Sequence, residues 1–85
     1  MIMAKVTFEN MTPAHVKAAR AFLNWRAQDL ADRCSVSPRT LRAFEAGSHI
    51  RPASRQAIHD ALVKAGIEFQ NGGKPGVRLV GELKV

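Results

Sequence analysis

The stretch AQDLADRCSVSPRTLRAFE, from Ala27 to Glu45, decides the fold of this chain of 85 residues. Its first part has apolar residues at helical spacing, which predicts a short helix over residues 27–34. Ser37 and Pro38 predict the start of another helix, because a serine hydroxyl caps free backbone N–H groups and proline suits the first helical position. Few residues separate the two predicted helices, so they should cross steeply instead of forming an antiparallel hairpin.

Glycines mark the ends of the second helix of this stretch and of the helix that follows it. Gly47 predicts the end of the helix that starts at Pro38, because glycine readily takes the left-handed conformation after a helix. This helix is therefore assigned to residues 38–46. A further helix should begin around Pro52 to Ser54, carry an apolar stripe and stop at Gly66.

A helix is also predicted before the stretch. Thr12 followed by Pro13 gives the same combination of cap and proline, and apolar residues then recur at helical spacing. The first helix should therefore cover residues 13–23. Asn24 can end it, because asparagine tolerates a left-handed backbone better than most residues do.

The two ends of the chain differ from this helical middle. Residues 1–11 have no helix-start signal and are assigned to an N-terminal arm that could hold a short strand. Residues 67–85 alternate apolar and polar positions around a glycine-rich loop at 70–76, which predicts a β-hairpin. The predicted fold is one mostly α domain of four to five helices at residues 12–66, with a short C-terminal β-hairpin.

Positive charge is concentrated in the helical middle. The formal net charge is +6 and the pI is about 10.5. Between Pro13 and Arg55 lie eight of the 13 Lys and Arg residues but only three of the seven Asp and Glu residues. Seven of those eight are Arg, the residue suited to bidentate contact with phosphate or with a guanine edge. This surplus favours a polyanion as the partner.

The residues of the stretch resemble the helix-turn-helix of the phage Cro and repressor type, also called the XRE family. That family places aliphatic, small and capping residues at fixed positions of its motif. The matching positions here are Leu30, Ala31, Cys34, Val36, Ser37, Leu41, Phe44, Glu45 and Gly47. The resemblance extends over about residues 13–69, because AARAFLNW is similar to the family's first helix and the turn after it.

Three positions depart from the family pattern. Ser35 stands in the turn where the family usually has Gly, so it must accept a left-handed backbone or a different turn, at a cost of about 1 kcal/mol. Asn24 replaces another Gly. Arg26 and Ala27 replace the Ser/Thr-Gln pair that opens the first motif helix. The DNA contact that this Gln usually makes would have to come from Arg26 or Gln28.

The resemblance implies that the recognition helix, residues 38–46 of the motif at 27–45, enters the major groove of DNA. The candidates for base contacts are Ser37, Pro38, Arg39, Arg42 and Ala43. The candidates for phosphate contacts are Arg26, Gln28, Ser37, Thr40, Arg51 and Arg55. Because an arginine can bind N7 and O6 of guanine together, a half-site that contains guanine is expected. Any one of these arginines could instead be a solvated surface charge.

Arg20 and Glu45 occupy positions that form an ion pair in the resembling repressors. We interpret them as a structural clamp that sets the angle of the recognition helix. If the pair is partly buried, breaking it from one side should cost about 3–5 kcal/mol. The alternative is two exposed charges that never meet.

The resemblance implies a sequence-specific double-stranded DNA-binding transcriptional regulator. Small proteins of this kind are often dimeric repressors of their own genes in prophages and mobile elements, and two recognition helices then bind an inverted repeat. No cofactor or small-molecule ligand is expected, and the expected location is the cytoplasm, on the nucleoid. The alternative is an antitoxin-like or antiactivator module that uses the same fold to bind a protein without reading bases.

The predicted hairpin bears on the choice between these functions. Val77, Leu79 and Val80 are too apolar to lie exposed on a sheet edge. They could build a homodimer, by strand pairing or by packing over the last helix, or they could bind another protein. They could equally cover the protein's own core.

Signals for an enzyme, a metal site or a membrane segment are weak. The spacing of His15, His49, His59 and Cys34 matches no zinc site. The residues around Gly73 lack the Ser or Thr and the upstream Gly of a phosphate-binding loop. A single cysteine excludes an internal disulfide and favours a reducing compartment. No apolar run is long enough to span a bilayer, so neither catalysis, a metal nor a membrane is expected.

Overall fold

Four helices and one β-hairpin form the part of the chain that the computed structural model describes, which is the backbone of residues 11–72 and 74–79 and the side chains of residues 11–69. The predicted mostly helical domain is confirmed. The helices are α1 (Pro13–Leu23), α2 (Ala27–Cys34), α3 (Pro38–Glu45) and α4 (Pro52–Lys64). The strands β1 (Ile67–Gly72) and β2 (Lys74–Leu79) pair antiparallel.

Side-chain caps start α1 and α3 at the predicted residues. The Thr12 hydroxyl accepts a hydrogen bond from the His15 backbone N–H at 3.2 Å, and His15 Nδ1 accepts one from the Thr12 N–H at 3.0 Å. The Ser37 hydroxyl accepts a hydrogen bond from the Thr40 N–H at 3.1 Å. Each cap satisfies a backbone donor that the helix itself leaves free, which fixes where the helix begins.

Left-handed residues end α1 and α2, as the sequence predicts. Asn24 and Ser35 each have a φ of 58°. After α3, Gly47 has a φ of 101°, and its N–H donates to the Phe44 carbonyl at 2.9 Å. α3 therefore ends one residue earlier than predicted, at Glu45, and the glycine closes its last turn.

Replacing Ser35 by Gly should raise the free energy of unfolding by about 0.5–1 kcal/mol, because a left-handed backbone strains serine and not glycine. The Ser35 side chain is exposed, so little contact is lost. Ser48→Gly is the matched control, since Ser48 is exposed but lies outside the left-handed region. Urea unfolding compares the two variants with the parent, and equal effects at both positions would contradict strain at Ser35.

One continuous core joins the helices to the hairpin. α2 packs against α3 and α4, α3 also packs against α1, β1 lies against α4, and β2 lies against α1. The largest fully buried side chains are those of Phe44, Met11, Leu30, Leu41, Ile58, Leu62, His15 and Val16. Ile67 and Phe69 add β1 to the same cluster. The hairpin is therefore part of the helical core and not an appendage to it.

Met11, the last residue of the predicted N-terminal arm, is buried in the core. Met11 was assigned to the arm, but only 1% of its surface is exposed. Its carbonyl oxygen also accepts a hydrogen bond of 2.8 Å from Arg55 Nη2. Met11 therefore belongs to the core, because a long apolar side chain is more stable there than in water. The rest of the predicted arm, residues 1–10, lies outside the described residues.

The predicted hairpin is present, but the predicted loop at residues 70–76 is wrong. β1 and β2 pair along their whole length, from Ile67 opposite Leu79 to Gly72 opposite Lys74. Glycine and asparagine have low strand propensity, which made these residues resemble a loop. The hydrogen bonds between paired strands use only backbone groups. Pairing that is anchored at one end of a hairpin can therefore continue through glycine and asparagine.

The register of the hairpin also places its apolar residues. Val77 lies opposite Phe69 and Leu79 lies opposite Ile67 in the backbone register. Ile67 and Phe69 are buried against the helices. β1 therefore contributes to the protein's own core, while Val80 lies outside the described residues.

Residues 11–72 and 74–79 contain neither a membrane-spanning helix nor a metal-binding cluster. No helix in that part combines the length and the apolar character that crossing a membrane requires. In the same residues, no three His, Cys, Asp or Glu side chains come close enough together to hold a metal ion. Cys34 is buried at the end of α2, and this burial raises the pKa of its thiol, so the sulfur stays protonated at neutral pH.

Candidate nucleic-acid interface

The outer face of α3 presents two arginines. Leu41 and Phe44 are almost completely buried, which fixes the rotation of the helix about its axis. Arg39 and Arg42, three residues apart, therefore lie together on the opposite face, and both are exposed. Ala43 is half-buried and adds a short apolar side chain beside Arg42. The structure thus brings three of the five candidate base-contact residues to one outward surface.

The guanidinium groups of this face have no partner within the protein. Among the described residues, the side chains of Arg39 and Arg42 make no hydrogen bond, ion pair or ring contact. The one acidic residue of α3, Glu45, is bound to Arg20 and cannot neutralise them. The charge of both arginines is therefore available to an anion that approaches α3.

The other two candidate base-contact residues form the start of α3. The Ser37 hydroxyl donates its hydrogen to Thr40 Oγ1 at 2.9 Å while it accepts from the Thr40 N–H. Pro38 has no backbone N–H to offer. The hydroxyl of Ser37 is thus already engaged in the cap. The free hydrogen-bonding capacity of the outer face is concentrated in Arg39 and Arg42.

Arg20 and Glu45 hold α3 against α1. The distance from Arg20 Nε to Glu45 Oε2 is 2.8 Å, and that from Nη2 to Oε1 is also 2.8 Å. The exposed fractions of the two side chains are 22% and 9%. The hydrogen bonds that Arg20 donates to Glu45 raise the pKa of Arg20 above its ordinary value, although burial acts in the opposite direction. The ion pair is bidentate and partly buried, the geometry in which such pairs are strongest.

Arg20 also bonds the turn between α1 and α2. Its Nη1 donates to the Trp25 carbonyl at 3.0 Å, and the Trp25 N–H donates to the Arg20 carbonyl at 2.9 Å. The guanidinium of Arg33 lies over the Trp25 ring, with Cζ 4.4 Å from the ring centroid. One side chain, Arg20, therefore connects α1, the start of α2 and the end of α3.

Arg26 and Gln28, two candidate phosphate contacts, are bonded to carboxylates of α2. Arg26 Nη2 lies 3.0 Å from Asp29 Oδ1, and the Arg26 backbone N–H donates to Asp29 Oδ2 at 2.9 Å. These hydrogen bonds lower the pKa of the Asp29 carboxyl. Gln28 Nε2 donates to Asp32 Oδ1 at 2.9 Å. A phosphate would have to compete with both carboxylates for these donors.

Sequence reasoning missed the role of Asp29, although a signal was present. An acidic residue three positions after the N-cap can bond back to the N-cap N–H, as in a capping box. Here Asp29 does so to Arg26 and also pairs with its side chain. The spacing alone could have shown that a carboxylate lies next to Arg26.

Arg51 and Arg55, the remaining candidate phosphate contacts, differ in their surroundings. Arg55 Nη2 donates to the Met11 carbonyl, and its Cζ lies 5.0 Å from the centroid of the Phe44 ring. Arg55 thus supports the core behind α3. Arg51 is exposed one turn earlier, at the N-cap of α4, and among the described residues it makes no ion pair or side-chain hydrogen bond. Arg51 is the better placed of the two to contact a phosphate.

Comparison with known proteins does not add to this geometry. No protein-family model matches the chain, and no relative was found among curated proteins.

Proposed function

We propose that this protein is a sequence-specific double-stranded DNA-binding transcriptional regulator, in which α2 and α3 form a helix-turn-helix and α3 enters the major groove. The observation that carries the proposal is the exposed, unpartnered pair Arg39 and Arg42 on a helix whose opposite face is buried. A groove about 12 Å wide admits an α-helix, and its base edges are within reach of arginine side chains.

The neighbourhood of α3 supports this proposal. α2 and α3 are joined by a short turn in which Ser35 is left-handed and Val36 is buried, so the two helices pack as one unit. The pair of Arg20 and Glu45 holds that unit against α1. A rigid support of this kind keeps reading side chains in place without an ordering cost on binding.

The contacts divide into two kinds. Arg39, Arg42 and Ala43 are assigned to base edges. Arg51 is assigned to a phosphate that fixes the register of the protein on DNA, and Thr40 keeps a hydroxyl hydrogen that can serve the same purpose. Arg55 is assigned to the support of α3, because its guanidinium donates to the Met11 carbonyl and lies over the Phe44 ring.

The proposed regulator acts as a homodimer that represses by occupying an inverted repeat. A single α3 reads one half-site, and two-fold symmetry supplies the second half-site about 34–36 Å away. In the described residues, β1 and β2 pair only with each other. Within that part of the chain, each strand has one edge without a strand partner, and the proposed second copy pairs with backbone groups of such an edge.

The test is selection of bound duplexes from a random library at near-physiological salt, with the parent protein and with the double variant Arg39→Ala/Arg42→Ala. The parent should enrich an inverted repeat. The double variant should lose this enrichment, because each bidentate base contact contributes about 1–3 kcal/mol of discrimination. Circular dichroism checks that the variant is folded, which is expected because both side chains are exposed.

Arg51→Ala is the matched control. It removes one exposed cation outside the reading face, so it should weaken binding to all duplexes alike. The slope of log affinity against log salt concentration should fall by about 1. Equal losses on selected and random duplexes for the Arg39→Ala/Arg42→Ala variant would refute base reading by α3. A parent protein that is monomeric by sedimentation while bound to the repeat would refute the dimer.

A protein-binding module is the second candidate, and two exposed residues favour it. Phe22 and Val63 are the large hydrophobic side chains left exposed within residues 11–69, at 53% and 48%. Val63 also lines a shallow groove between the ends of α2 and α4. Salt-sensitive DNA binding without enrichment of any sequence would favour this candidate over the regulator.

A further inference from the structure

The outer face of α3 offers hydrogen-bond donors and almost no acceptors. The guanidinium groups of Arg39 and Arg42 carry only N–H donors. The Ser37 hydroxyl is engaged in the cap, Pro38 and Ala43 have no polar side-chain atom, and the Glu45 carboxylate is bound to Arg20. The two arginines can bind acceptors on a base edge but cannot receive hydrogen bonds from amino groups.

The chemistry of the major groove then limits which bases this face can bind. Guanine presents two neighbouring acceptors, N7 and O6, and matches the fork of a guanidinium. Adenine places an amino donor beside N7, cytosine presents an amino donor, and thymine presents a single acceptor next to a methyl group. Only guanine gives either arginine two hydrogen bonds in one plane.

The spacing of the two arginines sets the spacing of the guanines. Residues three apart on an α-helix are separated by a rise of about 4.5 Å along the axis. Bases on one strand are separated by about 3.4 Å. Two long side chains whose Cβ atoms lie about 5–6 Å apart therefore reach bases one or two steps apart.

We infer that α3 reads two guanines in each half-site, one or two base-pair steps apart, through their N7 and O6 atoms. This inference rests on the proposed function and narrows it to a chemical class of half-site. It follows from the outward pair Arg39 and Arg42 together with the engagement of Ser37 and Glu45 within the protein.

The first experiment changes the DNA and leaves the protein intact. In the enriched duplex, 7-deazaguanine replaces one guanine at a time, which removes N7 and keeps O6. Affinity should fall about 5-fold or more at two positions of each half-site. Inosine at the same positions is the control, because it keeps N7 and O6 and lacks only the minor-groove amino group, so affinity should stay within about 2-fold.

The second experiment assigns each guanine to its arginine. Gln binds N6 and N7 of adenine, so Arg42→Gln should change the preferred base from guanine to adenine at one position, and Arg39→Gln should do so at the other. The preference should change by about 5-fold to 140-fold. Arg51→Gln loses the same charge outside the reading face and should shift no preference.

The outcomes separate this inference from the function on which it rests. An enriched repeat that tolerates 7-deazaguanine at every position, or that has no guanine where Arg39 and Arg42 act, would overturn the inference and leave sequence-specific binding intact. If Arg42→Gln weakened binding to all duplexes equally, the inference would also be overturned, because Arg42 would then contact phosphate. A library in which no sequence is enriched would overturn the proposed function and the inference together.

Discussion

Glu45→Ala should lower the free energy of unfolding by about 3 kcal/mol. The substitution removes both hydrogen bonds that Arg20 donates to Glu45 and leaves the Arg20 guanidinium partly buried, with the Trp25 carbonyl as its remaining hydrogen-bond acceptor among the described residues. Breaking a buried pair from one side typically costs about 3–5 kcal/mol, and the 22% exposure of Arg20 favours the lower end. Urea unfolding followed by Trp25 fluorescence measures the loss.

Two further variants make this expectation specific. Arg20→Met combined with Glu45→Leu should recover most of the lost stability, because apolar side chains of similar size often replace a buried ion pair without cost. Arg26→Ala, which breaks a pair whose side chains are 79% and 31% exposed, should leave the stability nearly unchanged. If Arg26→Ala lowered the free energy of unfolding as much as Glu45→Ala does, burial of the pair between Arg20 and Glu45 would not account for its contribution to stability.

The double variant Arg20→Met/Glu45→Leu also tests whether the ion pair sets the orientation of α3. If Arg20 and Glu45 set the angle of this helix, the double variant should fold stably and still lose discrimination between the enriched repeat and random DNA. An apolar contact lacks the two directed bonds that fix the orientation of α3. Unchanged discrimination would mean that packing of Leu41 and Phe44 alone orients the helix.

The start and end of most helices could be predicted from the sequence because those signals are local. Thr12 and Ser37 bond to backbone groups three residues away. Asn24 and Ser35 end their helices through their own backbone conformation. Such features depend on a few neighbouring residues, and they form in the same way wherever the rest of the chain lies.

The roles of the arginines could be predicted only in part. Composition identified an excess of arginine, but it could not distinguish Arg42 from Arg55, since both are single cations on amphipathic helices. The difference is that Arg55 bonds to Met11, 44 residues away in sequence, and lies over Phe44. Contacts of that range depend on the packing of the whole domain, which a local pattern does not encode.

For the same reason, the sequence does not distinguish between a hairpin that covers its own core and one that binds a second protein chain. Its alternating apolar residues predict strands, but they do not specify what those strands pack against. The structure places Phe69 between two histidines from different helices, with its ring centroid 5.4 Å from that of His15 and 5.4 Å from that of His59. Residues of α1 and α4 thus contact the hairpin from two sides.

Phe69→Ala should therefore lower the free energy of unfolding by about 3 kcal/mol or more. Phe69 is 8% exposed, and removing a buried aromatic ring costs its transfer free energy plus that of the cavity left behind. In a domain of this size the melting temperature should fall by about 10 °C or more. Val63→Ala is the control, because Val63 is 48% exposed and its truncation should have little effect.

Repeating the melting experiment over a hundredfold range of protein concentration distinguishes two roles of Phe69. It can be buried in the core of its own subunit or in a dimer interface. If the hairpin covers its own core, the difference in melting temperature between Phe69→Ala and the parent should be the same at every concentration. A dimer interface formed by this face would instead make the difference shrink on dilution, because subunit contacts stabilise the fold only where the subunits are associated. A constant difference leaves the strand edges of the hairpin, and not its apolar face, for pairing with a second copy.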